Sequence, residues 1–377
     1  MRTRGGVRLF SAFGFFRSFR FFPGGSFFPL CVCGVFFLAG FAGCSGGGSS
    51  SSSPGGRGAQ DKGGERITIY FIPRNMGNSY FEALAVGFNN AISQLGENNF
   101  NFVYTGPDTA GALRQLPYIE EAVKAGADAI FIAANSDTGL NGAFDKARSA
   151  GVRVYSINQD IPGSEAHRDA AILPVPFDVL GAAQVEFLAA QMGYRGEFAI
   201  LSATREAPDQ NTWIAFMREE LKKHKYSRMR LVDIVYGKEE REASRKAMRE
   251  LIGKHPNLRG VIAPTTVGLL AASSIVRELG LAAKIKITGV GLPSEMEEFV
   301  LDGTCGGFYL WNPTLQGYMA AFLVWNEKME GVSPEPAAVF SAGKLGEYTI
   351  LPSGQIYTSD APVLYTKANI QEAALLF

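Results

Sequence analysis

The chain has 377 residues, 46% of them hydrophobic and 19% charged, with 36 basic side chains against 36 acidic ones. That is enough apolar material for two domains with their own cores, and too much for a disordered chain. The neutrality hides a segregation: residues 1–43 hold Arg2, Arg4, Arg8, Arg17 and Arg20 and no acid, so the rest carries 31 basic against 36 acidic side chains, a net charge of −5. A mildly acidic body is a poor match for nucleic acid or anionic lipid as principal partner.

The first 65 residues read as an address followed by a tether. Twelve of the 28 phenylalanines precede residue 44, interrupted by Gly and Pro. An apolar run over 30–43 then leads into Cys44. It is too short for a permanent membrane helix and suits the apolar region of a secretory signal. Phe41-Ala42-Gly43-Cys44 resembles a lipobox, with phenylalanine where leucine is commoner. Cleavage before Cys44 would leave a lipidated cysteine; the alternative is a plain signal peptide with an incidental one. Residues 45–64 are Gly or Ser at 14 of 20 positions. This is the composition of a flexible coil reaching ~25 Å, which fits an anchored domain. One cysteine, Cys305, remains in the body. It cannot form an internal bridge, sits in a strand-like stretch, and is expected as a buried inert thiol.

From Arg66 onward, short apolar runs alternate with longer amphipathic ones. Strands are expected over 67–72, 100–104, 129–133 and 152–157, with helices over 80–94, 113–125 and 140–150 between them. After a break near 160–176 the rhythm resumes with helices over 179–192, 211–224, 240–254 and 267–279. Strands over 197–202, 230–236, 260–263 and 285–290 separate these. Such β-α alternation with near-continuous apolar strands implies parallel sheets covered by helices. The two runs give an α/β chain of two doubly wound lobes facing across a cleft. The expected divisions are 1–43 signal, 44–65 tether, 66–173 with 309–341 as the first lobe, and 174–308 with 342–377 as the second.

Ligands of such sheets lie beyond the carboxyl ends of the strands. The segments there carry Arg74, Asn75, Tyr80 and Phe81 after the first strand, and Asn158 and Asp160 after the fourth. Asp209, Gln210 and Trp213 follow 197–202. Pro264, Thr265 and Thr266 follow 260–263, and Trp311 stands further on. Amides and carboxylates make paired hydrogen bonds to neighbouring hydroxyls, and aromatic faces cover the C–H side of a sugar ring. The set suits a neutral polyhydroxylated molecule. Each residue has a simpler reading: Asp209 as a helix cap, Arg74 as a surface arginine, Phe81 and Trp213 as core, Pro264 as a turn former. Asp160 and Asp209 would serve hydrolysis if they approached each other. The body from Arg66 onward contains no G-x-S-x-G elbow, no phosphate-binding loop, no H-E-x-x-H and no zinc-type cysteine spacing.

The stretches 71–81 (FIPRNMGNSYF), 209–213 (DQNTW), 263–268 (APTTVG), 310–313 (LWNP) and 343–349 (GKLGEYT) resemble, in order over about 310 residues, the periplasmic sugar-binding proteins of ABC importers with the ribose-binding-protein fold. They are most similar to the rhamnose-binding and autoinducer-2-binding branch. The resemblance implies two lobes joined by three crossings, with ligand trapped between them. It puts Arg74 where the autoinducer-2 branch has lysine, and Asn158 where a ligand aspartate is expected. Asp209 and Gln210 follow the autoinducer-2 pattern, whereas Thr265-Thr266-Val267-Gly268 leans to the rhamnose side. Pro264 and Thr266 fall where backbone groups meet ligand, and Tyr80 and Trp311 where aromatic walls stand.

The implied protein is a monomeric, lipid-anchored receptor of the cell envelope. It would close on a small sugar or on autoinducer-2 and be read by ABC permease subunits, with no catalysis, no cofactor, no metal and no nucleic acid. Rival readings are a glycoside or nucleoside hydrolase, and a chemoreceptor-coupled sensor or adhesin on the same lobes. A repressor effector domain would need a helix-turn-helix in front, where this chain has an export signal.

Overall fold

A computed structural model describes residues 66–376 apart from Ala112 and Asp137. The signal at 1–43, Cys44 and the tether at 44–65 lie outside the described residues. The first run comprises β1 (Ile67–Ile72), α1 (Ser79–Leu95), β2 (Phe100–Tyr104), α2 (Leu116–Lys124), β3 (Ala129–Ile132), α3 (Asn141–Ser149), β4 (Arg153–Ile157) and β5 (Ala170–Leu173). The second comprises α4 (Phe177–Met192), β6 (Gly196–Ser202), α5 (Pro208–Glu220), β7 (Met229–Tyr236), α6 (Arg241–Lys254), β8 (Leu258–Ala263), α7 (Thr266–Glu278), β9 (Lys286–Gly289), α8 (Pro293–Leu301) and β10 (Phe308–Leu310). The chain then runs through α9 (Pro313–Glu330), β11 (Val339–Ser341), β12 (Glu347–Thr349), β13 (Gln355–Tyr357), β14 (Val363–Tyr365) and α10 (Ile370–Ala373).

The first sheet has the order β13-β5-β4-β3-β1-β2 and is parallel throughout. The second has the order β7-β6-β8-β9, also parallel, and a bridge from Val290 to Tyr309 brings β10 alongside β9. Both are doubly wound, as the continuous apolar strands require. In β1, Ile69 and Phe71 enter the main core while Tyr70 and Ile72 enter a second core on the opposite face. Burial on both faces removes the polar alternation of a half-exposed strand.

On the main-core face, α1 and α9 pack closely through Gly87 and Gly317. A β-carbon on Gly317 would fall 2.0 Å from the carbonyl oxygen of Leu84, and one on Gly87 2.0 Å from that of Thr314. Only glycine permits this approach.

The chain passes between lobes three times, at 174–176, 311–312 and 358–362. The first and third crossings are tied together: Thr358 N donates to Leu173 O (2.9 Å), Thr358 Oγ1 to Pro174 O (3.1 Å) and Ser359 N to Pro174 O (3.0 Å).

Two expectations need correcting. β5 occupies the stretch read as a break at 160–176. It is four small or aliphatic residues long, too short to show a period. The segment 342–377, assigned wholly to the second lobe, is divided. β13 completes the first sheet against β5, whereas β14 pairs with β10 and α10 packs on α8 in the second lobe. Three-residue strands leave no hydrophobic pattern by which to assign them.

Candidate functional site

Arg74 lies two residues beyond β1, and its guanidinium is drawn across the cleft. Nη2 contacts Asp209 Oδ1 at 2.5 Å, and Nη1 contacts Glu239 Oε1 at 3.2 Å, with all three side chains at most 3% exposed. Nη2 also donates to Gln159 Oε1. Burial opposes the Arg74 charge, but Asp209 and then Glu239 outweigh it, and the pKa stands above the ordinary arginine value. Asp209 is placed by the first turn of α5, which starts at Pro208 rather than at 211 as expected. There Oδ1 also accepts from Gln210 N (2.7 Å), and a carboxylate at a helix N-terminus is favoured. Gln210 Oε1 in turn accepts from Ser202 Oγ (2.6 Å) and Ala203 N (2.7 Å), locking the amide at the end of β6.

The aromatic wall is organised by the Tyr80 hydroxyl. It donates to Asn158 Oδ1 (2.6 Å) and accepts from Trp311 Nε1 (2.7 Å) and Gln316 Nε2 (2.9 Å). Asn158 holds this position from a left-handed backbone, φ 70°, the region that asparagine tolerates better than most residues. The Trp311 ring stands 6.2 Å from Tyr80 and 6.0 Å from Trp213, centroid to centroid. Burial raises the Tyr80 pKa, so the hydroxyl keeps its proton.

These groups surround one cavity. The first lobe contributes Arg74, Asn78, Tyr80, Phe81 and Asn158. The second contributes Asp209, Gln210, Trp213, Glu239, Pro264, Thr265, Thr266 and Val290, and Trp311 enters from a crossing. Two donors in this lining, Arg74 Nε and Trp213 Nε1, are buried and bond to no described residue. Buried donors left unpaired are costly, so a site holding two is built to receive acceptors.

Of the eleven predicted ligand residues, nine line the cavity; Asn75 and Asp160 do not. Asn75 Nδ2 turns back to Met76 O (3.3 Å). Asp160 is held by Arg168 (Nε–Oδ1 2.7 Å, Nη2–Oδ2 2.6 Å) and by Gln355 Nε2 (2.7 Å), fastening the loop after β4 to β13. It borders a different hollow from Asp209, so these two carboxylates do not approach each other as a pair. Among the described residues no three His, Cys, Asp or Glu side chains are grouped to hold a metal ion. Sequence reading missed Glu239, Asn78 and Val290. The signal for Glu239 was its place straight after strand β7, where every other parallel strand of the second sheet also sends a residue into the cleft.

The sequence over residues 69–329 matches a family model described as periplasmic binding protein domain. The chain belongs to this family. A sugar ABC transporter protein from Actinomyces odontolyticus is 34% identical, with 81% of this chain and 96% of that one covered and a TM-score of 0.62. An ABC transporter solute-binding protein from Clostridium phytofermentas, solved with bound L-rhamnose, is 29% identical, covers 83% of this chain and 99% of that one, and has a TM-score of 0.77. The D-ribose/D-allose-binding protein of Pseudomonas aeruginosa is 23% identical over 243 residues, 63% of this chain and 75% of that protein.

Proposed function

We propose that the cleft captures a small sugar by closure of the two lobes, and that the chain is the exported substrate-binding component of a sugar ABC importer. The observation that carries this is the bridge of Arg74 to Asp209 and Glu239 across a cavity with aromatic walls and two unpartnered buried donors. Carboxylates accept from hydroxyls, the free N–H groups donate to them, and the rings of Tyr80, Trp213 and Trp311 meet the C–H faces. Ligand that touches both lobes only when they are closed shifts the population toward closure, and the permease reads the closed shape. The family's members bind their solutes, and the roles assigned here are those of binding.

L-rhamnose is the first candidate, supported by the rhamnose-bound relative; autoinducer-2 is the second, supported by the Asp209-Gln210 pair. Cys44 is the proposed lipid attachment point, with the Gly/Ser segment as tether. The test is a melting-temperature screen of the 66–377 body with L-rhamnose, D-ribose, D-allose and autoinducer-2, followed by calorimetric titration. A ligand that binds only the folded form raises the midpoint. A body that shows no shift with any of them, up to millimolar concentration, would sink the sugar reading. Replacement of Cys44 by serine should release the full-length protein from the membrane fraction; an unaltered distribution refutes the anchor.

A further inference from the structure

We propose that Glu239 sets the charge selectivity of the cleft: with Asp209 it outweighs the single guanidinium of Arg74, so the site admits neutral and cationic sugars and turns away sugar acids and sugar phosphates. This rests on the sugar-binding reading above and adds to it the residue that defines the substrate class.

Glu239 is turned inward by its backbone. Lys238 and Glu239 both adopt left-handed conformations, φ 60° and 57°, in the loop that follows β7. Two consecutive non-glycine residues in that region are costly and persist where the surroundings impose them, commonly at ligand clamps. The result is selective: Lys238 and Glu240 are exposed, while Glu239 between them is buried. Its two oxygens meet donors only. Oε1 receives Arg74 Nη1 (3.2 Å) and Gln210 Nε2 (3.4 Å), and Oε2 receives Thr265 Oγ1 (2.9 Å). These donors favour the carboxylate, while burial and the neighbouring Asp209 charge favour the acid and hold the pKa above its ordinary value.

The charged residues lining the cavity are therefore Arg74 on one side and Asp209 and Glu239 on the other. An arginine in a binding cleft, taken alone, points to an anionic ligand. Here the guanidinium is already engaged by both carboxylates, and a third negative charge would stand against two in a site sheltered from water. A hydroxyl makes no such demand, and an ammonium group would balance the excess. Repulsion of the wrong class is as much a part of selectivity as attraction of the right one.

The test is calorimetric titration of wild type, Glu239→Gln and Glu239→Asp with D-galactosamine, D-galactose and D-galacturonate, and with D-ribose and D-ribose 5-phosphate. L-rhamnose serves as the neutral reference, and melting temperature without sugar reports folding. In wild type each acid should bind at least about ten-fold more weakly than its neutral parent, and the amine no more weakly. Glu239→Gln should narrow the acid-to-neutral ratio by about ten-fold, while Glu239→Asp, which keeps the charge on a shorter stem, should preserve it. A merely structural role would weaken all sugars alike in both variants. Wild type that binds an acid as tightly as its neutral parent overturns the proposal. So does a folded Glu239→Gln that still rejects both acids as strongly as wild type. Neutral sugars bound with an unaltered ratio leave the sugar reading standing and remove only the role of Glu239; wild type that binds no sugar at all removes both.

Discussion

Replacement of Asp209 by asparagine separates the two roles open to that residue. Asparagine keeps Oδ1 and can still accept from Gln210 N, so a residue that only serves the start of α5 should tolerate the change. What asparagine loses is the charge facing Arg74 at 2.5 Å, between side chains 3% and 2% exposed. Hydrogen bonds to charged groups contribute about 1.5–3 kcal/mol each. Arg74 belongs to the first lobe and Asp209 to the second, so the contact exists only when the lobes are closed. Its loss weakens the closed state, which is the state that holds ligand. At about 1.4 kcal/mol per decade, affinity for L-rhamnose, or for whichever sugar in the screen shifts the melting point most, should fall about ten- to one-hundred-fold. The unliganded protein should remain folded, because Arg74 keeps Glu239 and Gln159 and neither lobe's core is touched. Titration calorimetry checks the first statement and the ligand-free melting curve the second. A variant that binds within two-fold of wild type would refute the reasoning and leave Asp209 as a helix-start residue only.

Gly317→Ala should destabilise the first lobe by about 1–3 kcal/mol or more, read by denaturant titration, because its β-carbon would overlap the Leu84 carbonyl oxygen at 2.0 Å. Cys305 is buried, and burial pushes its thiol up to about 12. It should resist maleimide at pH 8 in the native protein and react fully in denaturant; rapid native labelling would show the stretch to be open. Glu239 adds a pH dependence. Burial raises its pKa above the ordinary 4.5, against the pull of Arg74, so the folded state binds this proton more tightly than the unfolded one. Its contribution to stability is present in full below pH 4.5 and is lost as pH rises through the folded value. The stability of Glu239→Gln relative to wild type should therefore improve as pH is raised from 4.5, and a difference flat with pH would contradict the shift.

Most of the fold was legible because buried parallel strands announce themselves. Runs such as 67–72 and 129–132 are apolar on both faces, and the helices between them carry an apolar side at regular spacing. What escaped was short or held by pairing alone. β5 and β13 draw their definition from lying against each other and against β4, a relation between residues nearly 200 positions apart. The site followed the same division. Residues immediately after strands were found by the rule that ligands sit at carboxyl ends, which is why Arg74, Asn158 and Asp209 meet in one cavity. Asp160 satisfied that rule too, and failed because Arg168 and Gln355 claim its carboxylate, a competition invisible in the order of residues. Glu239 failed in the opposite sense: its place after β7 marks the loop, but within the charged run at 238–242 nothing distinguishes the one residue that the backbone turns inward.

The arrangement of donors and acceptors narrows the ligand further than any single residue does. Arg74 spends both terminal nitrogens on neighbours but leaves Nε unpaired, and Trp213 leaves Nε1 unpaired, so the cavity offers two buried donors. Against these stand two carboxylates sharing one guanidinium, which retain lone pairs to accept with. A ligand that only accepts would leave the carboxylates facing it with nothing to bind, and one that only donates would leave both N–H groups stranded. A hydroxyl group does both and carries no charge, and several on one ring satisfy opposite sides of the cavity at once. Removing a single hydroxyl should thus be felt more than removing a methyl group, because it strands a protein group already stripped of water, whereas a missing methyl forfeits only contact. A titration series of singly deoxygenated analogues of the bound sugar should show that asymmetry, and equal losses for hydroxyl and methyl deletions would argue that shape, not hydrogen bonding, selects the ligand.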